Sequence, residues 1–295
     1  MPQPIPSTPP SSPSLLSPPV AVTLIMIPSL RSRAHVLPSL PLAFSRPTLS
    51  FRPSSLSVKP LSAAAAAGPT MSASAAPPVE HIVLFKVKEG TDPSRVGAML
   101  AGLNGLVSLD QVLHLAAGPV LQTRSSLFSF THMLHSRYRT KDDLAAYSAH
   151  PSHMGVVKES VLPICDDIMA VDWVADRAPE ALAVPPGSAV KVSFLKLKEG
   201  LGDAAKGEVL GVIQGIKDGF AQVEQVTCGE NFSPARAKGF SIASLAVFKS
   251  VEEMEAAAAD EEAVNSRKEK VREHLDGVIV VDYVVPELQS ASASL

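Results

Sequence analysis

The sequence predicts an α+β chain made of two β-α-β-β-α-β units, and three observations carry that prediction. Residues 79–174 and 188–286 are two versions of one segment, aligned at an offset of 110 over most of their length. His81–Gly90 (HIVLFKVKEG) pairs with Lys191–Gly200 (KVSFLKLKEG), and Val171-Asp172-Trp173-Val174 pairs with Val281-Asp282-Tyr283-Val284. A repeat of that length is too long for a solenoid unit and suits one small domain. Within each copy, strand-like and helix-like patterns alternate in the same order.

In the first copy, His81–Val87 is a short run of β-branched and aromatic residues closed by Lys88-Glu89-Gly90, the mark of a strand and its turn. Asp92-Pro93 then opens a helix, with Asp as N-cap and Pro at the first helical position. Val96, Met99, Leu100 and Leu103 follow at helical spacing. Gln111–Ala117 reads as a second strand ending at Gly118-Pro119, and Leu127–His135 as a third. Lys141-Asp142-Asp143 opens a second helix through Tyr147, which Pro151 interrupts before Met154–Leu162 resumes. Ile164–Val174 is the last strand. The second copy repeats this with strands near 189–197, 222–229, 239–248 and 277–285 and helices near 203–217 and 250–274. The boundaries are thus an extension over 1–78, a first domain over 79–176, a linker over 177–187 that contains Pro179, Pro185 and Pro186, a second domain over 188–286, and a tail over 287–295.

This order is a ferredoxin-like layout, in which a four-stranded sheet carries both helices on one face. The other face needs a partner. The first strand alternates accordingly: His81, Val83, Phe85 and Val87 lie on one side, Ile82 and Leu84 on the other. The second copy can cover the bare face, so the sheets are expected to pack as an intramolecular pseudo-dimer in a monomeric chain. Pairing of each unit with another chain is the alternative.

Composition divides the chain sharply. Residues 1–79 hold no Asp or Glu, five basic residues and 17 of the 26 prolines. Such a segment buries too little apolar surface to offset its ordering entropy, so it is expected to be disordered. Its Ser-rich, Arg-bearing, acid-free character is that of an organelle transit peptide, and plastid import is the preferred destination. The apolar run 20–27 competes as a secretory core but is too short to span a bilayer. A product starting at Met71 and using the C-terminal Ala293-Ser294-Leu295, a loose relative of the Ser-Lys-Leu address, would be peroxisomal. From Glu80 onward, 21 basic residues face 29 acidic ones, a formal charge of −8. An acidic body without a basic cluster argues against nucleic acid or an anionic membrane as partner. Cys165 and Cys228 fall at non-equivalent places and read as free, buried thiols.

The densest chemistry lies in the first copy: Tyr147-Ser148-Ala149-His150-Pro151-Ser152-His153, with His81 and His132 inside apolar strands. A neutral imidazole exchanges protons near pH 7, and a phenol can donate to a developing oxyanion. The second copy has Lys191, Ile242, Ala257, Asp260 and Ala263 at the five equivalent positions, so the fold does not require those side chains. His150-Pro151 also has a purely structural reading, shaping the helix break.

The strings Val79–Lys86, Phe130-Thr131-His132 and Asp143-Leu144-x-x-Tyr147-x-x-His150-Pro151-x-His153 resemble the stress-response A/B barrel (dimeric α+β barrel) family. The architecture is similar to plant tandem-domain members with an organelle-targeting extension. The resemblance covers about residues 79–286, more strongly in the first unit. It implies a stress or defence protein that is non-catalytic or binds a small apolar ligand. One enzymatic branch, olivetolic acid cyclase, closes a polyketide by aldol condensation. By that resemblance His153 would abstract the α-proton with Tyr147 orienting it, and His81, His132 and His150 would line the ligand site. That chemistry calls for no cofactor and no metal. The spacing of His150 and His153 is not a zinc signature, and no cysteine pair supports one.

Overall fold

The computed structural model describes residues 76–287. Of the disordered targeting extension expected over 1–78, the part up to residue 75 lies outside the described residues. So do the alternative start at Met71 and the Ala293-Ser294-Leu295 tail.

The first unit runs β1 (Val79–Val87), α1 (Pro93–Gly105), β2 (Val112–Arg124), β3 (His132–Tyr138), α2 (Lys141–Ala149), α3 (Pro151–Val156) and β4 (Cys165–Val174). The second runs β5 (Ala189–Leu197), α4 (Asp203–Gln214), α5 (Ile216–Gly219), β6 (Val223–Glu230), β7 (Ile242–Phe248), α6 (Val251–Ala259), α7 (Glu261–Arg272) and β8 (Leu275–Val284). Asp92 caps α1 as its sequence indicates, its carboxylate accepting from the Ser94 N–H at 2.8 Å. The turn after the first strand of each unit needs a left-handed residue, and Gly90 (φ 72°) and Gly200 (φ 79°) supply it at the repeat spacing.

Three of the differences from the sequence expectation have a local cause in the structure. β3 begins at His132 rather than Leu127, because the Ser125 hydroxyl accepts from the N–H groups of Leu127 and Phe128 and holds that stretch in a turn. β2 does not stop at Gly118-Pro119 but continues to Arg124. Pro119 is tolerated because the strand changes partner there, pairing with β3 up to Pro119 and with β8 from Val120 onward. The helix expected over 250–274 is broken at Asp260, whose side chain accepts from the Ala263 N–H at 3.0 Å and starts α7 afresh.

All strands are antiparallel, in the order β4-β1-β3-β2-β8-β5-β7-β6. The expected pseudo-dimer is therefore a single eight-stranded sheet, with β2 and β8 joining the halves. Its edges meet at β4 and β6 through a Trp173–Asn231 bridge and bonds from Phe232 N to Asp172 O (2.9 Å) and Asp176 N to Cys228 O (3.1 Å). Glycine is needed at this seam: a Cβ on Gly229 would lie 2.6 Å from the Val174 carbonyl oxygen. The closed sheet forms a barrel filled from both halves, with Ile82, Leu84 and Trp173 against Val192, Phe194 and Tyr283. Each such side chain contributes about 1.5–3 kcal/mol on burial. The helices of each unit cover the outside in two further cores, and β1 alternates between inside and outside as its sequence indicates.

Candidate functional site

His81 leaves the outer face of β1 beneath the helices of the first unit. Its register partner on β4 is Asp172, and the Nδ1–H of His81 donates to that carboxylate. Three rings surround it. Tyr138 at the end of β3 lies 6.2 Å from His81 between centroids, Tyr147 on α2 lies 6.5 Å away, and the two tyrosines are 5.1 Å apart. His153 on α3 stacks obliquely on Tyr147 at 4.6 Å. Its Nδ1 meets the Ser148 carbonyl at 3.0 Å, so the proton sits on Nδ1 and Nε2 is left as an acceptor. Burial lowers the His153 pKa and keeps the ring neutral, and burial pushes the Tyr147 phenol up to about 12 and Tyr138 higher still. The electrostatics are those of a neutral base beside protonated phenols.

The set is closed. His81 is 4% exposed, Tyr138 0% and Tyr147 1%, while His150 and His153 are half-buried at its margin. The second unit supplies the cover. Asn231 Oδ1 accepts from the Asp172 N–H at 3.1 Å, and Phe232 packs on the first unit's core with the Lys141 ammonium 4.3 Å above its ring. Burial opposes ionisation of Asp172, but His81, Ser233 and Arg236 outweigh it and hold the carboxyl below its usual range.

His81, Tyr147 and His153 are thus brought together, and His132 is not. His132 pairs with Phe85 and Pro119 at the start of β3, four residues from the Ser136 that faces His81, or about 13 Å along the strand. Its Nδ1 contacts the Thr131 hydroxyl at 2.9 Å. His150 does not satisfy carbonyls freed by Pro151. Its Nδ1 accepts from the Ser152 N–H at 3.2 Å and caps α3. Cys165 is half-buried rather than buried, Cys228 is buried, and both are free. Among the described residues no cluster of His, Cys, Asp or Glu side chains is arranged to hold a metal ion.

Sequence reasoning missed Asp172 and Tyr138. The repeat contained the signal for Asp172, since an Asp recurs there as Asp282 while its partner changes from His81 to Lys191. It also missed a polar row inside the barrel, where Trp173, Glu80, Arg137 and His114 are successive cross-strand neighbours. Glu80 accepts from Arg137 Nε at 3.0 and 3.1 Å, from His135 Nε2 at 2.7 Å and from the Thr227 hydroxyl of the second unit at 3.0 Å. Burial opposes its ionisation, yet Arg137 and His135 prevail and hold its pKa at about 2. Arg137 also donates to the Ala181 and Leu182 carbonyls and to Gln225, fastening the linker and the second unit to the first.

With this geometry in hand, the comparisons with known proteins define the class. The sequence model of the Stress responsive A/B Barrel Domain matches residues 79–175 and again 189–285, and the chain belongs to that family. It is 57% identical over 215 residues to a stress-response A/B barrel domain-containing protein of Arabidopsis thaliana, a match covering 73% of this chain and 81% of that one. To a second stress-response A/B barrel domain-containing protein of the same plant it is 48% identical over 210 residues, covering 70% of this chain and 97% of the other. Among solved structures, an anthrone oxidase-like protein superposes with a TM-score of 0.51 at 16% identity, over 73% of this chain and 94% of that one, which shows the shared fold.

Proposed function

We propose that this stress-response A/B barrel protein works by binding a small apolar molecule rather than by turning it over. The observation that sets binding above turnover is the closure of the His/Tyr set, and the room for a ligand lies elsewhere, in a cleft of the second unit. Asp172 engages His81, Ser136 engages Tyr138 at 3.0 Å, the Ser148 carbonyl engages His153, and the rings pack on one another under a loop from the other unit. Polar groups that engage each other within a packed core maintain a structure. The acid-free, Ser- and Pro-rich extension supports plastids as the place of action, with peroxisomal delivery from Met71 as the alternative.

A second reading is favoured by one specific contact. The free Nε2 of neutral His153 beside protonated Tyr147 has the ingredients for cofactor-free proton abstraction, as in a polyketide cyclase. Incubating the full chain with linear polyketide substrates and with plastid metabolites, followed by mass spectrometry of the products, separates the two. The binding reading expects metabolites that co-purify unchanged. A product that forms with the native chain and not with Tyr147→Phe/His153→Ala would establish the cyclase instead.

A further inference from the structure

On the face that its helices cover, the second unit carries smaller side chains at five positions. At the shared register, Val83 becomes Ser193, Leu134 becomes Ser244, Ser136 becomes Ala246, Tyr147 becomes Ala257 and His153 becomes Ala263. Where the first unit packs aromatic rings together, the second opens a cleft of about 1280 Å³ between its sheet and its helices. Ser193, Ser244, Ala246 and Ala257 line it, and Phe248 and Met254 add apolar wall. A void of this size under four helices forfeits packing contacts that the first half retains, unless something fills it.

The floor carries a net positive charge. Lys191 Nζ and, at 2.6 Å, Arg124 Nη2 both bind the single carboxylate of Asp282. Arg124 comes from the first unit, delivered by the extension of β2 beyond Pro119. Side-chain exposure is 25% for Lys191, 8% for Asp282 and 44% for Arg124, so Lys191 and Asp282 sit inside the cleft, Arg124 stands at its mouth, and the triad has one positive charge in excess. The charges at the rim are balanced, with Arg267, Lys268 and Arg272 against Glu255, Glu269 and Asp276. A triad with one excess positive charge, running from the wall of an apolar cleft to its mouth, is matched by an anion with an apolar body.

We infer that the second unit holds an amphipathic monocarboxylate, its carboxylate between Lys191 and Arg124 and its apolar body in the space left by Ser193, Ser244, Ala246 and Ala257. This rests on the reading of the protein as a binder, and it moves the ligand from the half that keeps the His/Tyr set to the half that lost it. Isothermal titration of the full chain with decanoate, and with decan-1-ol as the uncharged counterpart, tests it. One decanoate per chain is expected, with binding weakened by about tenfold or more, some 1.4 kcal/mol, for decan-1-ol, for Lys191→Met and for Ala257→Tyr, which restores the first unit's bulk. His153→Ala is expected to bind as the native chain does. Ser193→Val/Ser244→Leu fills the same space with side chains the first unit already accommodates, and it serves if Ala257→Tyr misfolds. Absence of decanoate binding, equal affinity for the alcohol, or indifference to both filling variants overturns the inference. Loss in His153→Ala alone places the ligand in the first unit, which overturns the cleft and leaves the binding reading intact. Chemical conversion of a bound molecule overturns the binding reading and leaves the cleft standing.

Discussion

Where the first half of the barrel sets His81 against Asp172, the second sets Lys191 against Asp282, in the same register and on the same outer face. Around that shared pair the halves diverge. Tyr138, Tyr147 and His153 become Phe248, Ala257 and Ala263, and inside the barrel Glu80, His135 and Arg137 become Val190, Leu245 and Val247. Both halves therefore keep a basic side chain opposite an aspartate between their first and fourth strands. The backbone does not require the aromatic cluster outside or the ionic network inside. Those additions belong to one half each time, and each calls on the other half: the loop at Asn231–Phe232 covers the His/Tyr set, and Thr227 and Gln225 complete the ligation of Glu80 and Arg137.

The sharpest way to break the comparison is at Glu80. Glu80→Ala leaves Arg137 and His135 buried without their carboxylate and is expected to cost about 3–5 kcal/mol. Converting all three residues to the second unit's set (Glu80→Val, His135→Leu, Arg137→Val) is expected to lie within about 2 kcal/mol of the native chain, because no unpaired charge remains. Urea unfolding midpoints read both, and a triple variant as weak as the single one would show that the network is needed as a network.

Acid titration of stability follows from the same groups. Burial lowers the pKa of His135, and lowers His114 to about 2, so both stay neutral in the fold. As pH falls below about 6.5 the unfolded chain takes up protons that the fold refuses, and stability declines. Glu80 adds a second loss: its depressed pKa stabilises the fold above about 4.5, and that contribution disappears as pH falls toward 2. Thermal unfolding across this range is expected to show both phases, with the triple variant losing the parts due to Glu80 and His135 and keeping those due to His114, His153 and Asp172.

On the outer face, His81→Ala strands the buried Asp172 and is expected to cost about 1–3 kcal/mol. His81→Lys, the second unit's own choice, is expected to cost less, and equal losses in denaturant titration would show that the two pairs are not interchangeable. The smallest effect concerns the first helix of each unit. Asp92→Ala is expected to lose about 1 kcal/mol, while Gly202→Ser, at an N-cap without a side-chain partner, gains only a few tenths. Differential scanning calorimetry resolves the first and bounds the second.

Much of the fold was legible because its signals are local or repeated. Asp92-Pro93 marks a helix start wherever it docks, the alternation through His81–Val87 assigns both faces of β1, and the offset of 110 doubles each element. The partner switch at Pro119 was not legible, because a proline ends a strand unless a neighbour from the other unit takes over, and that neighbour lies far along the chain, in β8. The site divides along the same line. Tyr147 and His153 are one helical break apart and could be read together. His132 was misplaced because a residue's face on a strand follows from sequence while its position along the sheet depends on register. The open cleft in the second unit escaped notice because its signal is what small residues such as Ser193 and Ala257 leave out.

The most direct test of the division between a closed half and an open one is native mass spectrometry of the full chain after incubation with a plant metabolite extract, alongside Tyr147→Phe/His153→Ala and Ala257→Tyr. The account predicts a bound small molecule that persists in the first-unit double variant and is lost in Ala257→Tyr. A bound mass lost from the Tyr147/His153 variant and retained by Ala257→Tyr would contradict it.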